Sequence, residues 1–174
     1  MDDATEVAVR AGREGDLAAL TEIYNEYVRA TPITFDTEPF TVEARRPWLR
    51  AHPEHGPHRL FVAEDGGRIL GYATSSAFRP KAAYSTSVEV TVYCAPDAGG
   101  RGIGTRLYEA LFEALSAEDV HRAYAGVTQP NEASVRLHAR FGFRPVGTYR
   151  EVGRKFGRYY DVAWFEKDLG AGRG

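Results

Sequence analysis

Four glycines in six residues, Gly99-Gly100-Arg101-Gly102-Ile103-Gly104, stand between two strongly patterned segments. Before them, Val88, Val90 and Val92 alternate with other side chains along Ser87 to Cys94, the period of a strand. After them, Ile103, Leu107, Leu111 and Leu115 make one apolar stripe of a helix expected over Gly102 to Ala117. Glycine takes up positive φ and lets the backbone approach a ligand closely. The first turn of a helix leaves N–H groups without intrahelical partners, and its dipole favours negative charge. The segment therefore reads as a site for an anion such as a pyrophosphate, with a bare tight turn as the alternative. Spacing excludes two familiar phosphate loops. A dinucleotide loop needs G-x-G-x-x-G, and neither Thr105 nor Leu107 supplies the last glycine. A P-loop needs Gly-Lys-Ser/Thr, and here Thr105 and Arg106 follow Gly104.

The rest of the chain supplies more strands and helices around this unit. Val7 to Val9 read as a strand, and Asp16 to Arg29 as a helix with Leu17, Leu20, Tyr24, Tyr27 and Val28 on one face. Thr31 to Pro39 read as a loop, and Thr41 to Ala51 as a helix that Pro47 must kink or restart. His52 to His58 form a turn punctuated by Pro53, Gly56 and Pro57. Arg59 to Glu64 and Arg68 to Ala77 pair as a hairpin through Asp65-Gly66-Gly67. Ala123 to Val127 is a strand and Asn131 to Phe141 a helix, with Gly142 where a left-handed cap belongs. Gly147 to Val152 and Asp161 to Leu169 close the pattern. The order β-α-α-β-β-β-α-β-α-β-β predicts an α/β fold with one mixed sheet and helices on both faces. We expect one domain over residues 1–169 and a frayed tail at 170–174.

A chain of 174 residues buries about 70% of its unfolded surface, so no disulfide or metal is needed to hold its core. Its net charge of −2 does not suit a nucleic-acid binder. The single cysteine, Cys94, cannot form an intrachain disulfide, which suits the cytoplasm. Met1-Asp2-Asp3 is acidic with no apolar run behind it, so no signal peptide is expected, and no run of 18 apolar residues suggests a membrane span. His52, His55 and His58 match no metal-ligand spacing, and no metal is expected. Cys94 has no base patterned around it and reads as a buried thiol rather than a nucleophile.

The glycine segment resembles the pyrophosphate loop of GNAT acetyltransferases, Gln/Arg-x-x-Gly-x-Gly/Ala, with Gly102 and Gly104 matching and Gly99 standing where Gln or Arg is usual. Asn131 to Phe143 is similar to that superfamily's second cofactor motif, with His138 in the usual tyrosine position. Thr34-Phe35-Asp36-Thr37-Glu38-Pro39, Phe78-Arg79-Pro80, Val88 to Tyr93 and Gly157 to Val162 together resemble the phosphinothricin and methionine sulfoximine acetyltransferases. The resemblance runs from about Val7 to Leu169. It implies the GNAT fold, a mixed, mostly antiparallel sheet. It implies transfer of acetyl from acetyl-CoA to the amino group of a small amino-acid-like substrate. Cofactor contacts fall on Val92, Tyr93, Cys94, Gly99, Gly100, Arg101, Gly102, Ile103, Gly104, Thr105, Asn131 and Ser134. It also implies a homodimer, which the aromatic residues Tyr149, Phe156, Tyr159, Tyr160, Trp164 and Phe165 near the C-terminus suit as interface or as core.

An amine attacks a thioester only when uncharged, so a base within reach is useful. Glu89 is a carboxylate in a valine-rich strand, opposite in phase to Val88 and Val90; it is a base or a solvent-facing strand residue, and the resemblance makes it catalytic. His138 is a helix histidine that the resemblance makes the second catalytic residue, as base or as the acid that protonates the departing thiolate. Arg79 and Lys81, two apart, face the same way in extended chain and would hold a carboxylate or phosphinate; an ordinary surface pair is the alternative. Phe35, Tyr84 and Tyr93 are candidates to line the same pocket, and Arg158 is a third candidate, after Arg79 and Lys81, for the substrate's anion. Two rival functions stay open: a protein N-terminal acetyltransferase, which would want an open acidic groove, and a non-catalytic acyl-CoA-binding regulator, which would not need Glu89 and His138.

Overall fold

The computed structural model describes residues 6–170; the Met1–Asp3 start and most of the expected tail lie outside the described residues. Seven strands form one sheet in the order β1-β2-β3-β4-β5-β7-β6. They are β1 (Ala8–Ala11), β2 (Leu60–Asp65), β3 (Arg68–Ala77), β4 (Ser87–Cys94), β5 (Arg122–Thr128), β6 (Arg144–Lys155) and β7 (Arg158–Asp168). Every neighbouring pair is antiparallel except β4 and β5, which run parallel. The helices are α1 (Leu17–Ala30), α2 (Val42–Arg50), α3 (Ile103–Leu115) and α4 (Glu132–Arg140).

The two faces of the sheet take different helices. Val88 and Val90 are fully buried on the α3 side, and Val92 lies next to the start of α3 at Gly104. Tyr72 and Tyr93, on the other face, pack edge-on or tilted against Tyr24 and Tyr27 of α1 and Trp48 of α2. The α1 stripe is buried at Leu17, Leu20, Tyr24 and Val28, as its periodicity predicts. Helix α2 does not break at Pro47. It is nine residues long, starts from a Thr41 cap whose side chain accepts from Ala44 N–H, and tolerates the one backbone donor that proline removes.

The C-terminal strands are longer than their sequence pattern implies. β6 and β7 join through Phe156-Gly157, with φ of 53° and 70°, where a loop of several residues was expected. Phenylalanine in the left-handed region costs about 1–2 kcal/mol, so it is not the residue that announces such a turn. A register shift between Tyr149 and Gly153 interrupts the pairing; there Glu151 N–H and the Arg150 guanidinium both donate to Asp161.

Candidate active site

β4 and β5 pair only at Ser87–Glu89 against Arg122–Tyr124. Beyond Glu89 they part, and β4 has no strand neighbour on that side. The gap is a cavity of about 210 Å³ lined by Val90, Thr91, Val92 and Tyr93 from β4 and by Ala125 to Thr128 from β5. Asn131, Ser134, Leu137 and His138 of the α4 segment close one side. Thr91 and Tyr93 also line two cavities of about 410 and 400 Å³ on the α1/α2 face, both of which include Glu89. The cleft therefore opens through the sheet, with His138 beside one mouth and Glu89 beside the other. A larger groove of about 650 Å³ beside α1 contains Arg10, whose guanidinium is already paired with Asp16 and Glu64, and it does not include Glu89.

The glycine loop ends beside this cleft. Gly100 and Gly102 have φ of 77° and 68°, and a side chain at either would meet open space, so backbone conformation rather than crowding calls for glycine there. Gly102 caps α3 with no side-chain bond, and of the first-turn N–H groups that of Gly104 is directed at the Cys94 sulfur. Gly104 answers a different demand: a Cβ there would lie 3.1 Å from Leu137 of α4. Arg101 is turned to Asp65 at 2.6 Å, and Arg140 of α4 donates to the Thr105 hydroxyl at 3.1 Å. Asn131 is the cap of α4, its Oδ1 accepting from Ser134 N–H at 3.2 Å. Cys94 is a half-buried free thiol that burial pushes up in pKa, with the Gly104 N–H opposing.

Glu89 is half-buried on the face opposite Val88 and Val90, as the alternation requires. Burial pushes its carboxyl above the ordinary range, and the charge of Arg79 works against that rise. Phe35 and Tyr93 line its surroundings. Lys155, itself buried, donates from Nζ to the carbonyls of Thr31 and Thr34 at 2.7 and 2.9 Å, which fastens the loop carrying Phe35 to β6.

His138 is 3% exposed. Its Nδ1 lies 2.7 Å from the Ser134 carbonyl, which only accepts, so Nδ1 carries the proton. Nε2 then accepts from the Tyr108 hydroxyl at 2.9 Å. Burial holds its pKa below the usual value, so the ring is neutral at neutral pH.

The expected substrate contacts divide. Phe35 meets Glu89 at one cavity. Arg79 lies over Phe78 at 4.3 Å and near Trp164 at 5.9 Å, beside a cavity of about 310 Å³ that also holds Tyr124. The same-side argument for Arg79 and Lys81 fails, because β3 ends at Ala77 and Lys81 precedes a short 3-10 turn at Ala82–Tyr84. Tyr84 packs on Phe78 at 5.8 Å and does not line the Glu89 cavities. Arg158 starts β7 opposite Lys155, exposed beside the hairpin turn and outside the cavities. Sequence reasoning missed Tyr108, Asp36, Lys155 and Arg45. For Arg45 there was a signal: it shares the buried phase of α2 with Leu49, four residues on, where a charge is out of place.

Comparison with known proteins decides the lineage. Residues 9–164 match the acetyltransferase (GNAT) domain. The chain belongs to the GNAT acetyltransferase family. This GNAT chain is 71% identical over 171 residues to a phosphinothricin N-acetyltransferase of Streptomyces coelicolor, covering 97% of this chain and 100% of that one. It is 33% identical to an L-methionine sulfoximine/L-methionine sulfone acetyltransferase of Pseudomonas paraeruginosa, covering 93% and 94%. A phosphinothricin acetyltransferase from Sinorhizobium meliloti, solved in complex with acetyl-CoA, superposes with a TM-score of 0.90 at 31% identity, covering 95% and 90%. The sheet order and helix placement are thus those of the GNAT fold, and this GNAT chain is an acetyltransferase.

Proposed function

We propose that this acetyltransferase moves acetyl from acetyl-CoA to the α-amino group of a small amino acid of the phosphinothricin or methionine sulfoximine type, with Glu89 as general base. The observation that carries this is the position of Glu89, a partly desolvated carboxyl where β4 leaves β5, beside a cleft that opens on both faces of the sheet. The site suits acetyl-CoA. Positive-φ glycines at 100 and 102 and the start of α3, which no side chain caps, suit its pyrophosphate, and the β4–β5 gap suits its arm. Acetyl-CoA, when bound there, would supply the thioester carbon that the amine attacks, and the CoA thiolate would leave as the C–S bond breaks, neutralised by the proton the amine nitrogen gives up.

The chain's own groups manage protons and position. Glu89 takes a proton from the arriving ammonium; burial strengthens it as a base, and the charge of Arg79 favours its ionised form. Neutral His138 has one lone pair, at Nε2, and it faces the Tyr108 hydroxyl; that bonding favours uptake of a proton through Tyr108 over donation by the ring. Arg79 pairs with the α-carboxylate next to the amine, since its charge already reaches Glu89. The single free thiol suits the cytoplasm. The exposed apolar residues of β6, the turn and β7 support a homodimer through that hairpin.

The deciding experiment is release of the CoA thiol with acetyl-CoA against phosphinothricin, methionine sulfone, methionine and the corresponding amides. We expect the free acids to be acetylated and the amides to be poor, with the difference in KM and lost in Arg79→Gln. Equal kcat/KM for acid and amide would remove Arg79 from the carboxylate, and no release with any amine would leave an acyl-CoA-binding regulator.

A further inference from the structure

Arg45 on α2 is a buried cation that makes no ion pair with a carboxylate among the described residues. It is 6% exposed, and its guanidinium lies between the rings of Tyr24 and Trp48, at 4.3 and 4.0 Å from their centroids. Nε and Nη2 have no hydrogen-bond partner among the described residues, while the guanidinium also acts on the Tyr72 hydroxyl. Ring faces repay only part of the loss of water around a guanidinium, and a buried charge ordinarily has a counter-charge. The other buried cations show the contrast: Lys155 reaches two carbonyls, and half-buried Arg10 reaches two carboxylates. Arg45 lines the 410 Å³ cavity that also holds Glu89 and Asp36. The Asp36 carboxylate is engaged by the Tyr24 hydroxyl, and Glu89 feels Arg79.

We propose that Arg45 is a subsite for a second anionic group on the substrate, the side-chain acid of an amino acid whose amine is at Glu89. This rests on the acetyl-transfer reading above. The two arginines flank Glu89 in sheet order: Arg79 stands over Phe78 and Trp164 on the β5–β7 side, and Arg45 over Tyr24 and Trp48 on the β3 side. Arg79 is the one whose charge acts on Glu89, so it suits the carboxylate bonded to the same carbon as the amine. Arg45 suits an acid several bonds further along. The charges then match in pairs: the substrate's ammonium meets the acidic Glu89 and Asp36, and its two anions meet the two guanidiniums. The ligand class is an α-amino acid with a phosphinate or carboxylate side chain, preferred over one with a neutral sulfone.

The test compares phosphinothricin with methionine sulfone in the wild type and in Arg45→Met, which keeps an apolar side chain between the two rings. We expect KM for phosphinothricin to rise tenfold or more while that for methionine sulfone changes less than twofold. Arg45→Lys should fall between, because it restores charge without the fork. Equal changes for the two substrates, or none, overturn the subsite. A second arm uses the wild type alone, so that a variant that fails to fold does not stall the test. The desamino analogue of phosphinothricin should raise the melting temperature, and the desamino analogue of methionine sulfone should raise it less; equal shifts, or none, overturn the subsite. That arm needs no turnover. Wild type that acetylates neither amino acid refutes the transfer reading, whereas acetylation of both without discrimination refutes Arg45 alone.

Discussion

Folding disfavours the charged form of Glu89. Its carboxyl titrates above its ordinary 4.5 because burial penalises the charge, so the native chain binds that proton more tightly than the unfolded chain does. Its contribution to stability is complete below about pH 4.5 and is lost as pH rises through the native pKa. We therefore expect Glu89→Gln to lose roughly 10²-fold in kcat, a usual general-base effect, and yet to melt higher than the wild type at pH 7. Calorimetry at pH 7 and pH 4 checks the cause: the gain should shrink at the lower pH, and a gain that persists there is packing rather than charge. Buried His138 and His52 act with the opposite sign. Both are held below the ordinary 6.5, so their stability is present above that value and is lost as pH falls from it through the lower native pKa. Glu89 was legible in the sequence because a carboxylate interrupts a valine strand. Arg45 was less legible, because its helix has only nine residues and Pro47 interrupts the donor pattern within them, so the phase of a charged residue is weakly defined.

At the scale of elements, the loop into α3 carries the sharpest expectation. Gly102→Asp places a carboxylate at the start of α3, beside the N–H groups an anion would use, and sets a side chain at φ 68°. Calorimetric titration should show acetyl-CoA binding weakened at least tenfold, about 1.4 kcal/mol, in a variant that still folds; unchanged affinity would move the pyrophosphate elsewhere. The strand–glycine–helix unit, the Asp65-Gly66-Gly67 hairpin and the left-handed Gly142, with φ of 80°, could all be read from spacing because local rules govern them. The parting of β4 from β5 could not. It depends on where β7 takes over as the partner of β5, a long-range pairing with no local signature. The Phe156-Gly157 turn was hidden for the opposite reason, since the length of its strands dictates the turn and the residue in it does not advertise it.

At the scale of the molecule, the β6–β7 hairpin leaves Val146, Tyr149, Val152, Phe156 and Tyr159 each more than half exposed. Apolar side chains along one hairpin suit a two-fold interface, the commonest form of assembly. Light scattering should return about twice 19.3 kDa at micromolar concentration, and Val152→Asp with Tyr159→Glu should return the single-chain mass. A wild-type mass near 19.3 kDa rules the dimer out. The gap between β4 and β5 reaches further than the chemistry. It leaves the sheet one neighbour short in its middle, so whatever lies there is counted by the chain as part of its own architecture. A donor present at a hundred times its dissociation constant deepens the native well by about 2.7 kcal/mol. Starved of it, the same sequence is a less durable protein, and its lifetime against proteases becomes a reading of how much acetyl donor surrounds it.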